Sequence, residues 1–576
     1  MRNKPPLFTL SILLAVVLLL MFSLPAVGGV KWTADGVGIR TASANDAQSP
    51  QITSDGSGGA IIAWHDKRSG SDGIYAQRVD AAGNPLWTAD GVGVCTSAYT
   101  PSALYPQIVS DGAGGAIIAW QDYRDGAHNF VYAQRVNAAG SILWTAGGVG
   151  IRTAATAGNA GRPQMVCDGS GGAIITWEDD RASGSYVDIY AQRVDAAGNR
   201  LWTPEGIGVR NISANKARNP RIVSDGSGGA IITWQDDRAG HNDIYAQKVN
   251  AAGSMVWPIV DGAPIRDFSA NDAALPQLCS DGSGGAIITW QDGRDGHGDI
   301  YAQRVTSAGI RTWTPDGVGI RTAAANNAQS PRITSDGSGG AVIAWHDRRS
   351  GSKWDIYAQK VNGAGDRLWT ADGVGVRTAP PGDTNGNCIV SDGYRGAIVT
   401  WQDYRDGHYD IYTQRLDAAG NPAWTDQGMG VRTAPPGDSG FPQMISSGSG
   451  GATVTWQDYR DGHYDIYAQS ISRAATTWYL AEGATAGDFE TWMLVQNPNP
   501  GPVTVDLTFM TTDGPKPGPQ DFPIAGSSRT SFKVNSYVSD FNVSTKVESS
   551  GGDVICERAM YGGNKTWAHD SIGYAP

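Results

Sequence analysis

Short apolar runs alternate with polar, glycine-rich turns over most of the chain, and the pattern repeats every 55 to 57 residues. The first repeat holds four such runs, at residues 50–54, 60–66, 74–79 and 86–94. The runs are rich in β-branched and aromatic residues, Gly, Asn and Asp separate them, and no helical period is present. The pattern predicts an all-β fold in which each repeat forms one sheet of four short antiparallel strands.

Tryptophan marks two positions of the repeat. Of the 20 Trp residues, 16 fall into two registers of eight. One register ends the second run of each repeat, at Trp64, Trp120, Trp177, Trp234, Trp290, Trp345, Trp401 and Trp456. The other follows the third run, at Trp32, Trp87, Trp144, Trp202, Trp257, Trp313, Trp369 and Trp424. A ring that recurs at one position in every repeat indicates packing between neighbouring sheets, so the Trp content does not argue for an aromatic binding surface.

The two ends of the repeat region complement each other. The last repeat stops after its third run at residue 471, whereas residues 30–40 form a spare fourth run ahead of the first repeat. Adding this N-terminal strand to the last sheet closes the array and removes the exposed edges that an open solenoid would leave. The sequence therefore predicts an eight-bladed β-propeller over residues 29–473.

The composition changes after residue 473. Apolar and polar residues alternate at 477–483, 489–498 and 503–510, and Gly, Asn and Pro join these runs. About 100 residues of this pattern are typical of an immunoglobulin-like β-sandwich. We therefore predict that residues 474–576 form a separate β-sandwich module.

The N-terminus carries the features of a targeting segment. Arg2 and Lys4 precede an apolar run at residues 7–24, which is followed by Pro25 and small residues. This order is typical of a secretory signal peptide over residues 1–28, cleaved near Gly28. An uncleaved membrane anchor is the alternative, and the run is at the short limit for a membrane span. We therefore expect a secreted protein, extracellular or associated with the cell surface.

Charge and cysteine content exclude other classes of function. The 44 basic and 56 acidic residues leave a formal net charge of −12, which argues against nucleic acid as a partner. The five Cys residues lie at unmatched positions and lack metal-ligand spacing, so we expect buried free thiols rather than disulfides or a metal site. No cofactor is expected, because the glycine turns lack the sequence of a phosphate-binding loop.

An Asp-x-Arg motif after the second run is the most regular polar feature of the repeats. Its members are Asp66 and Arg68, Asp122 and Arg124, Asp179 and Arg181, Asp236 and Arg238, Asp292 and Arg294, Asp347 and Arg349, Asp403 and Arg405, and Asp458 and Arg460. One interpretation is eight equivalent pockets in which Asp, Arg and nearby aromatic rings hold a glycan or a peptide. The other is an ion pair that fixes the turn between the second and third strands, and the bidentate geometry of such pairs favours it.

Residues suited to catalysis are sparse in the repeats. One active site on a ring needs groups that differ from those of the other repeats, yet loop lengths hardly vary. The propeller region has only two Glu, Glu178 and Glu205, neither with an evident partner for glycoside hydrolysis. Glu178 stands where other repeats have Gln or His, which we interpret as ordinary variation, and no unmatched Arg cluster is evident. The His residues near the second turn are interpreted as solvated. We therefore expect that the chain is not an enzyme.

Two segments resemble known families. The repeat is similar to those of TolB-like and, more broadly, WD-like β-propellers, through Pro220, Ser224-Asp225-Gly226, Asp236, Arg238, Gly240 and Asp243-Ile244-Tyr245. This resemblance covers half of each repeat and implies the fold but no particular role. The tail phrases Trp-Tyr-Leu-Ala-Glu-Gly and Phe-Glu-Thr-Trp resemble a module at the ends of secreted bacterial surface proteins, which implies a spacer or surface-attachment element.

These observations predict a secreted, non-enzymatic recognition or scaffold protein. Its partner would be carbohydrate or protein at the cell surface, held by propeller loops through weak repeated contacts, and the protein would be a monomer. A glycan-active hydrolase or lyase of the sialidase kind is one alternative. A purely structural surface protein is the other.

Overall fold

A computed structural model gives the fold of the chain. It describes residues 29–572 except 42–44, 69, 97, 101, 154–157, 182–185, 213–214, 267–270, 323–325, 379–380, 434–436, 474–475, 499–502, 521, 551–553 and 564–566. The predicted signal peptide lies outside these described residues. Within them, no helix combines the length and the apolar character needed to cross a membrane.

Residues 29–472 form eight sheets of one design, numbered 1 to 8 in chain order, each with its strands antiparallel and paired in sequence order. Two short strands, β1 (Gly29–Val30) and β2 (Val37–Arg40), precede sheet 1. The first strands of the sheets are β3 (Ala47–Ser54), β7 (Ala103–Ser110), β11 (Ala160–Cys167), β15 (Ala217–Ser224), β19 (Ala273–Ser280), β23 (Ala328–Ser335), β27 (Thr384–Ser391) and β31 (Ser439–Ser446). The second strands are β4 (Ala60–Asp66), β8 (Ala116–Asp122), β12 (Ala173–Asp179), β16 (Ala230–Asp236), β20 (Ala286–Asp292), β24 (Ala341–Asp347), β28 (Ala397–Asp403) and β32 (Ala452–Asp458).

The outer half of each sheet is built from its remaining strands. The third strands are β5 (Gly73–Val79), β9 (Phe130–Val136), β13 (Asp188–Val194), β17 (Asp243–Val249), β21 (Asp299–Val305), β25 (Asp355–Val361), β29 (Asp410–Leu416) and β33 (Asp465–Ser472). The fourth strands of sheets 1 to 7 are β6 (Val92–Cys95), β10 (Val149–Arg152), β14 (Ile207–Arg210), β18 (Ala263–Arg266), β22 (Val318–Arg321), β26 (Val374–Arg377) and β30 (Met429–Arg432).

The N-terminal strands belong to sheet 8. In β2, Gly38 lies opposite Tyr467 of β33, and in β1, Val30 lies opposite Ile471 of the same strand. The first strand of each sheet contacts the first strand of the next, and β31 contacts β3, so the series closes on itself. The chain is therefore all-β with repeated four-stranded sheets, consistent with a β-propeller, and its first strands surround the centre of the ring.

The hydrophobic core is divided among the interfaces between neighbouring sheets. Trp87 of sheet 1 and Trp120 of sheet 2 belong to one buried cluster together with Ile118. The Nε1–H of Trp87 also donates to the Ala138 carbonyl oxygen of sheet 2 at 3.0 Å. Every Trp of the first register is fully buried. The Trp side chains thus join one sheet to the next, because a flat ring with one N–H can fill an interface and still satisfy its donor.

The fourth strands are shorter than the sequence predicts. In sheet 1 the run at 86–94 contributes only Val92–Cys95 to the ladder. Ahead of it, the Trp87 N–H donates to Gln77 Oε1 and Gln77 Nε2 donates to the Thr88 carbonyl oxygen, both at 2.9 Å. A side chain therefore replaces the strand pairing there, and Gly91, with φ of 86°, turns the backbone before the strand begins.

The tail folds into two sheets that share one core. Sheet 9 consists of β34 (Thr476–Gly483), β36 (Val503–Thr511), β37 (Gly514–Pro517), β38 (Phe522–Ile524) and β40 (Val543–Ser550). Sheet 10 consists of β35 (Glu490–Asn497), β39 (Ser528–Lys533), β41 (Ile555–Gly562) and β42 (Trp567–Ile572), and a 3-10 helix spans Val534–Ser536. Phe509 of sheet 9 and Phe532 of sheet 10 lie in the same buried cluster. The alternating runs therefore form two layers around a common interior.

The cysteines are free thiols, and their burial differs from the expectation. Cys95, Cys279 and Cys556 are buried, Cys388 is half-buried and Cys167 is exposed. Cys167 is the last residue of β11, where the strand enters an exposed glycine turn. The expectation of a buried thiol is therefore wrong at Cys167.

Candidate functional site

The Asp-x-Arg residues lie in a buried ion network rather than in open pockets. Asp66 is fully buried, and its Oδ2 accepts from Trp64 Nε1 at 3.0 Å and from Arg68 Nη2 at 2.6 Å. In all eight pairs the Arg Nη2 lies 2.5 to 2.8 Å from the Asp carboxylate, as in Asp122–Arg124, Asp179–Arg181, Asp236–Arg238, Asp292–Arg294, Asp347–Arg349, Asp403–Arg405 and Asp458–Arg460. These contacts occupy the carboxylates that the first interpretation assigns to a ligand.

Each motif Arg also stacks on a tyrosine of the third strand. The guanidinium carbon of Arg124 lies 3.3 Å from the centre of the Tyr132 ring, and that of Arg238 lies 4.0 Å from the centre of Tyr245. Burial alone would raise the pKa of Asp66, but hydrogen bonds from Arg68 and Trp64 outweigh it and lower the pKa below its usual value. We infer that the motif fixes the turn between the second and third strands.

A second arginine extends this network to the neighbouring sheet. Arg210, at the end of β14 in sheet 3, pairs with Asp188 of its own sheet and donates through Nε to Asp236 of sheet 4 at 3.1 Å. Corresponding bridges to the next sheet come from Arg40, Arg152, Arg266, Arg321, Arg377 and Arg432. In sheet 1, Cys95 replaces the arginine, with its Sγ 3.8 Å from Asp122. Sequence reasoning missed this arginine, although it ends the fourth run in seven of the eight repeats.

Most of the histidines are not solvated as the sequence analysis expects, and His128, whose side chain is 35% exposed beside Asp125, is the exception. His241, His297, His408 and His463 lie 3.1 to 3.5 Å from Asp243, Asp299, Asp410 and Asp465, each two residues further along the chain. His65 and His346 are buried on second strands. Burial raises the pKa of Asp410, and Arg432 and His408 offset only part of this effect. The four histidines that pair with Asp therefore belong to the same structural network.

One position next to each motif Asp breaks the symmetry of the ring. The residue before the Asp is His65, Gln121, Glu178, Gln235, Gln291, His346, Gln402 or Gln457. Its side chain reaches the first strand of the next sheet, where Gln121 Oε1 accepts from the Arg162 N–H at 3.3 Å and Gln457 Oε1 accepts from the Ser49 N–H at 3.1 Å. Glu178 Oε1 accepts from the Asn219 N–H at 2.9 Å in the same way. Sheet 3 thus holds a carboxylate where the other sheets hold a neutral side chain.

The first-strand backbone that donates these hydrogen bonds is bent in every sheet. The residues at the bend have φ between 52° and 55°, namely Ser49, Tyr105, Arg162, Asn219, Leu275, Ser330, Gly386 and Phe441. A left-handed conformation costs a residue other than glycine roughly 1–2 kcal/mol, so the bends are held by the surrounding structure. The bends leave Tyr105 and Phe441 more than half exposed. Apolar and polar side chains are thus presented together at the first strands.

Glu178 lies between two cavities formed by the first and second strands of sheets 2, 3 and 4. One has a volume of about 250 Å³ and is lined by residues that include Gln121, Asn159, Arg162, Glu178, Asp180 and Arg218. The other has a volume of about 290 Å³ and is lined by residues that include Tyr105, Gln107, Arg162, Glu178, Asn219 and Arg221. The first cavity is also lined by residues of the turns, such as Asn129 and Val187, whereas the second is lined by first-strand residues and Glu178. We refer to Glu178, Asp180, Arg162, Arg218 and Arg221 as the Glu178 site.

Two carboxylates of this site face the same cavity. Glu178 and Asp180 both line the 250 Å³ cavity, whereas Asp179 between them is buried against Arg181. Asp180 Oδ1 accepts a hydrogen bond from the Asn159 N–H, and Arg162 Nη1 lies 3.9 Å from Glu178 Oε1. The site therefore combines two partly accessible carboxylates with backbone donors that orient them.

The site also contains arginines that the other repeats lack. At the positions of Arg162 and Arg218, the other first strands carry no charged residue. Arg221 is matched only by Arg332 of sheet 6. The expectation that no unmatched arginine cluster exists is therefore wrong, because Arg162 and Arg218, at different offsets of different repeats, line one cavity. A column-by-column alignment of the repeats would have found them.

Within the described part of the chain, no set of three or more His, Cys, Asp or Glu side chains is arranged to hold a metal ion.

No family model matches the chain, and no curated protein matches it either. The solved structures similar to it include a GH93 α-L-arabinofuranosidase of Fusarium graminearum in complex with arabinobiose, at 12% identity and a TM-score of 0.31, covering 54% of this chain and 92% of that one. They also include an exo-β-1,3-galactanase of Phanerochaete chrysosporium with galactose, at 12% identity and a TM-score of 0.24, covering 75% of this chain and 98% of that one. An endo-arabinase of Bacteroides thetaiotaomicron has 16% identity and a TM-score of 0.26, covering 44% and 92%.

These neighbours overturn one expectation from the sequence. The sequence analysis expects a chain that is not an enzyme, whereas the three solved structures named above are glycoside hydrolases, which contradicts that expectation. The sequence analysis takes Glu178 as ordinary variation, whereas the structure places it in one cavity with Asp180. The likeness itself assigns no substrate and no residue to this chain.

Proposed function

We propose that this protein is a secreted glycan-active hydrolase built on an eight-bladed β-propeller, with its catalytic centre at the Glu178 site. The observation that carries the proposal is that Glu178 and Asp180 line a single cavity of about 250 Å³. Glycoside hydrolysis needs two carboxyl groups, one to protonate the leaving oxygen and one to act as base or nucleophile. Sheet 3 alone offers Glu at this second-strand position.

The surroundings of the two carboxylates suggest their roles. Glu178 has a guanidinium and a backbone N–H as its neighbours, which suits the group that carries negative charge as base or nucleophile. Asp180 follows the strand and is half-buried at the cavity wall, so we assign it the role of general acid. Exposed Tyr105 in the adjoining cavity offers an apolar face on which a sugar ring can stack.

The rest of the chain fits this role. Eight sheets and the pairing of β2 with β33 support a closed ring of eight blades. The two-layered tail supports an immunoglobulin-like module, which we propose as a spacer or surface-attachment element of a bacterial protein with a TolB-like ring. The positively charged start and the apolar run at residues 7–24 support secretion.

The proposal is tested by measuring reducing sugar released from a panel of neutral and acidic polysaccharides. We expect the wild type to cleave at least one member and Glu178→Gln to cleave none. Gln occupies the same position in five other sheets, so this variant keeps the fold and the acceptor for the Asn219 N–H. Glu205→Gln is the matched control. Glu205 Oε2 accepts a hydrogen bond from the Thr153 N–H, and in another sheet Gln427 Oε1 accepts the equivalent bond from the Thr378 N–H, so Gln at position 205 keeps this contact. Equal rates for Glu178→Gln and the wild type would refute the proposal.

A further inference from the structure

Aromatic residues gather in the turns between the second and third strands of three consecutive sheets. The residue just before the third strand is Trp354 in sheet 6, Tyr409 in sheet 7 and Tyr464 in sheet 8. In sheets 1 to 5 the same position holds Asp72, Asn129, Val187, Asn242 and Gly298. The repeat therefore folds without an aromatic ring at this position.

In sheets 7 and 8 the turn carries a pair of tyrosines. The ring centres of Tyr404 and Tyr409 lie 5.0 Å apart with an angle of 61° between the rings, and those of Tyr459 and Tyr464 lie 4.9 Å apart at the same angle. Tyr404 and Tyr459 are each 42% exposed, and their partners are half-buried. Edge-to-face contact therefore holds each pair in one orientation at the surface.

Hydrogen bonds join the three turns into one surface. The Trp354 N–H of sheet 6 donates to Asp383 Oδ1 at 2.9 Å, and the Tyr404 N–H of sheet 7 donates to the Asp383 carbonyl oxygen at 3.0 Å. Asp438 joins the turns of sheets 7 and 8 through the same two acceptors, at 2.8 and 2.9 Å. We refer to the surface formed by Trp354, Asp383, Tyr404, Tyr409, Asp438, Tyr459 and Tyr464 as the aromatic strip.

Polar atoms stand between the rings of the aromatic strip. Asp383 and Asp438 are exposed, and among the described residues no hydrogen bond or ion pair is made to the Oδ2 of either. Burial and the negative charges of Asp383 and Asp438 raise the pKa of Tyr409, so its phenol keeps its proton at neutral pH. A carboxylate accepts hydrogen bonds and a phenol can donate them, so the strip offers both roles to the hydroxyl groups of a ligand.

Along sheets 7 and 8 the surface around the strip is acidic. The motif arginines of these two turns are already paired with buried Asp403 and Asp458. The cations Arg348 and Lys353 lie at the sheet 6 end, where the Arg348 guanidinium carbon is 4.7 Å from the centre of the Trp354 ring. The exposed carboxylates of this surface are Asp383, Asp406, Asp438 and Asp461. This charge disfavours a polyanionic ligand.

The aromatic strip shares a face of the ring with the Glu178 site. The Asn129 N–H of sheet 2 donates to Asn159 Oδ1 of sheet 3 at 3.0 Å, which is the contact that Tyr409 makes with Asp438. Asn129 and Asn159 line the 250 Å³ cavity together with Glu178. Sheet 7 is four sheets from sheet 3 in the closed series of eight. The strip and the cavity therefore lie on one face, across the ring from each other.

We propose that the aromatic strip is a second binding site, that it takes a neutral glycan chain, and that it anchors the polysaccharide cleaved at the Glu178 site. A sugar ring stacks its C–H face on an aromatic ring and offers its hydroxyl groups to carboxylates and phenols. Rings in three consecutive sheets contact successive units of one chain, so that weak contacts add up. The choice of a glycan rests on the proposed function, because the strip and the cavity share a face. Binding itself does not require hydrolysis.

The test measures binding in the Glu178→Gln background, so that turnover does not interfere. Biolayer interferometry follows binding to immobilised galactomannan, arabinoxylan, polygalacturonate and poly-L-lysine. We expect at least one of the two neutral polysaccharides to bind, and the double variant Tyr409→Asn with Tyr464→Asn to bind it at least about 10-fold more weakly. Asn stands at this position in sheets 2 and 4 and keeps the N–H that donates to Asp438 or Asp46, so we expect an unchanged Tm.

Two further variants separate the role of the rings from other effects of substitution. Tyr409→Phe with Tyr464→Phe keeps both rings and is expected to retain most of the binding. Tyr479→Asn makes the same chemical change at a half-exposed tyrosine of sheet 9 and should bind as the parent does.

Other outcomes would overturn the proposal. Undiminished binding in the Asn double variant, or no binding to either neutral polysaccharide, would refute a glycan site at the strip. A loss confined to poly-L-lysine would show a cationic partner instead, and polygalacturonate bound as tightly as the neutral polysaccharides would refute the preference for neutral chains. Binding as expected without hydrolysis by the wild type would refute the proposed function and leave the strip standing.

Discussion

Glu178 of sheet 3 accepts a hydrogen bond from the backbone N–H of Asn219 in sheet 4 at 2.9 Å. Gln121 and Gln457 make the same contact from sheets 2 and 8, so the bond is part of how neighbouring sheets are joined. In sheet 3 the side chain that accepts this hydrogen bond is a carboxylate. The proposed catalytic group therefore lies on a rigid position of the repeat without any new loop.

The bridging arginines are expected to contribute strongly to stability. Arg210→Met removes the ion pair of buried Asp188 and one of the two ion pairs of buried Asp236, which keeps Arg238. We expect the free energy of unfolding to fall by about 3–5 kcal/mol. Urea denaturation measures this, with exposed Arg367→Met as the control, and a loss no larger than that of the control would contradict the role of the bridge.

Much of the fold follows from the repeat. The strand runs, the closing N-terminal strand and the packing role of the Trp registers could be predicted because each depends on one position recurring in every unit. The predicted fourth strand is too long because the Gln77 side chain replaces the strand pairing beside Trp87. This replacement depends on the position of a side chain in the folded structure, which the repeat pattern does not give.

The candidate site could not be predicted in the same way. Glu178, Arg162 and Arg218 are single departures at three different offsets, and each alone looks like variation. Only the closed ring brings the first strands of sheets 2, 3 and 4 to one cavity. The regularity of the Asp-x-Arg motif allowed the interpretation of eight ligand pockets. In the structure, the motif recurs because it belongs to the ion network at each interface between sheets.

Stability is expected to fall in acid. The pKa of seven motif carboxyls is lowered, because hydrogen bonds and charge from their Arg partners outweigh the effect of burial, at Asp66, Asp179, Asp236, Asp292, Asp347, Asp403 and Asp458. A group whose folded pKa is lowered stabilises the fold above its unfolded pKa, here 3.8, and this stabilisation is lost as the pH falls through the folded value.

A smaller set of carboxyls acts in the opposite direction. Burial raises the pKa of Asp299, Asp410 and Asp465, so their protonation favours the folded state in acid. Because the first set is larger, we expect the free energy of unfolding in urea to decrease from pH 5 to pH 3. An increase over that interval would contradict the prediction.

Gly206 is expected to tolerate no side chain. It has φ of +81°, and an added Cβ would lie 2.5 Å from the Trp177 ring and 2.8 Å from the Ala191 carbonyl oxygen. Gly206→Ala should therefore destabilise by about 2–5 kcal/mol, the sum of backbone strain and overpacking. Gly226→Ala is the control, since Gly226 has a similar φ of +76° and open space around it. The melting temperature of each variant measures this difference. An equal fall in Tm for both variants would refute the packing argument.

Closure by the N-terminal strand can be tested by removing it. A chain that begins at residue 41 leaves the edge of β33 unpaired and deprives Asp465 and Asp66 of Arg40. We expect a lower Tm and self-association through the free edge in size-exclusion chromatography. A synthetic peptide of residues 29–40 should restore both, and a truncated chain that stays monomeric with an unchanged Tm would contradict closure.

The most direct test of the function is the rate of one variant. The polysaccharide that the wild type cleaves fastest is given to the wild type and to Glu178→Gln under identical conditions, and the release of reducing ends is measured. We expect a kcat at least about 100-fold lower in the variant, as for loss of a group that takes part in the chemical step, at an unchanged Tm. A variant that keeps the wild-type kcat would contradict a catalytic centre at Glu178.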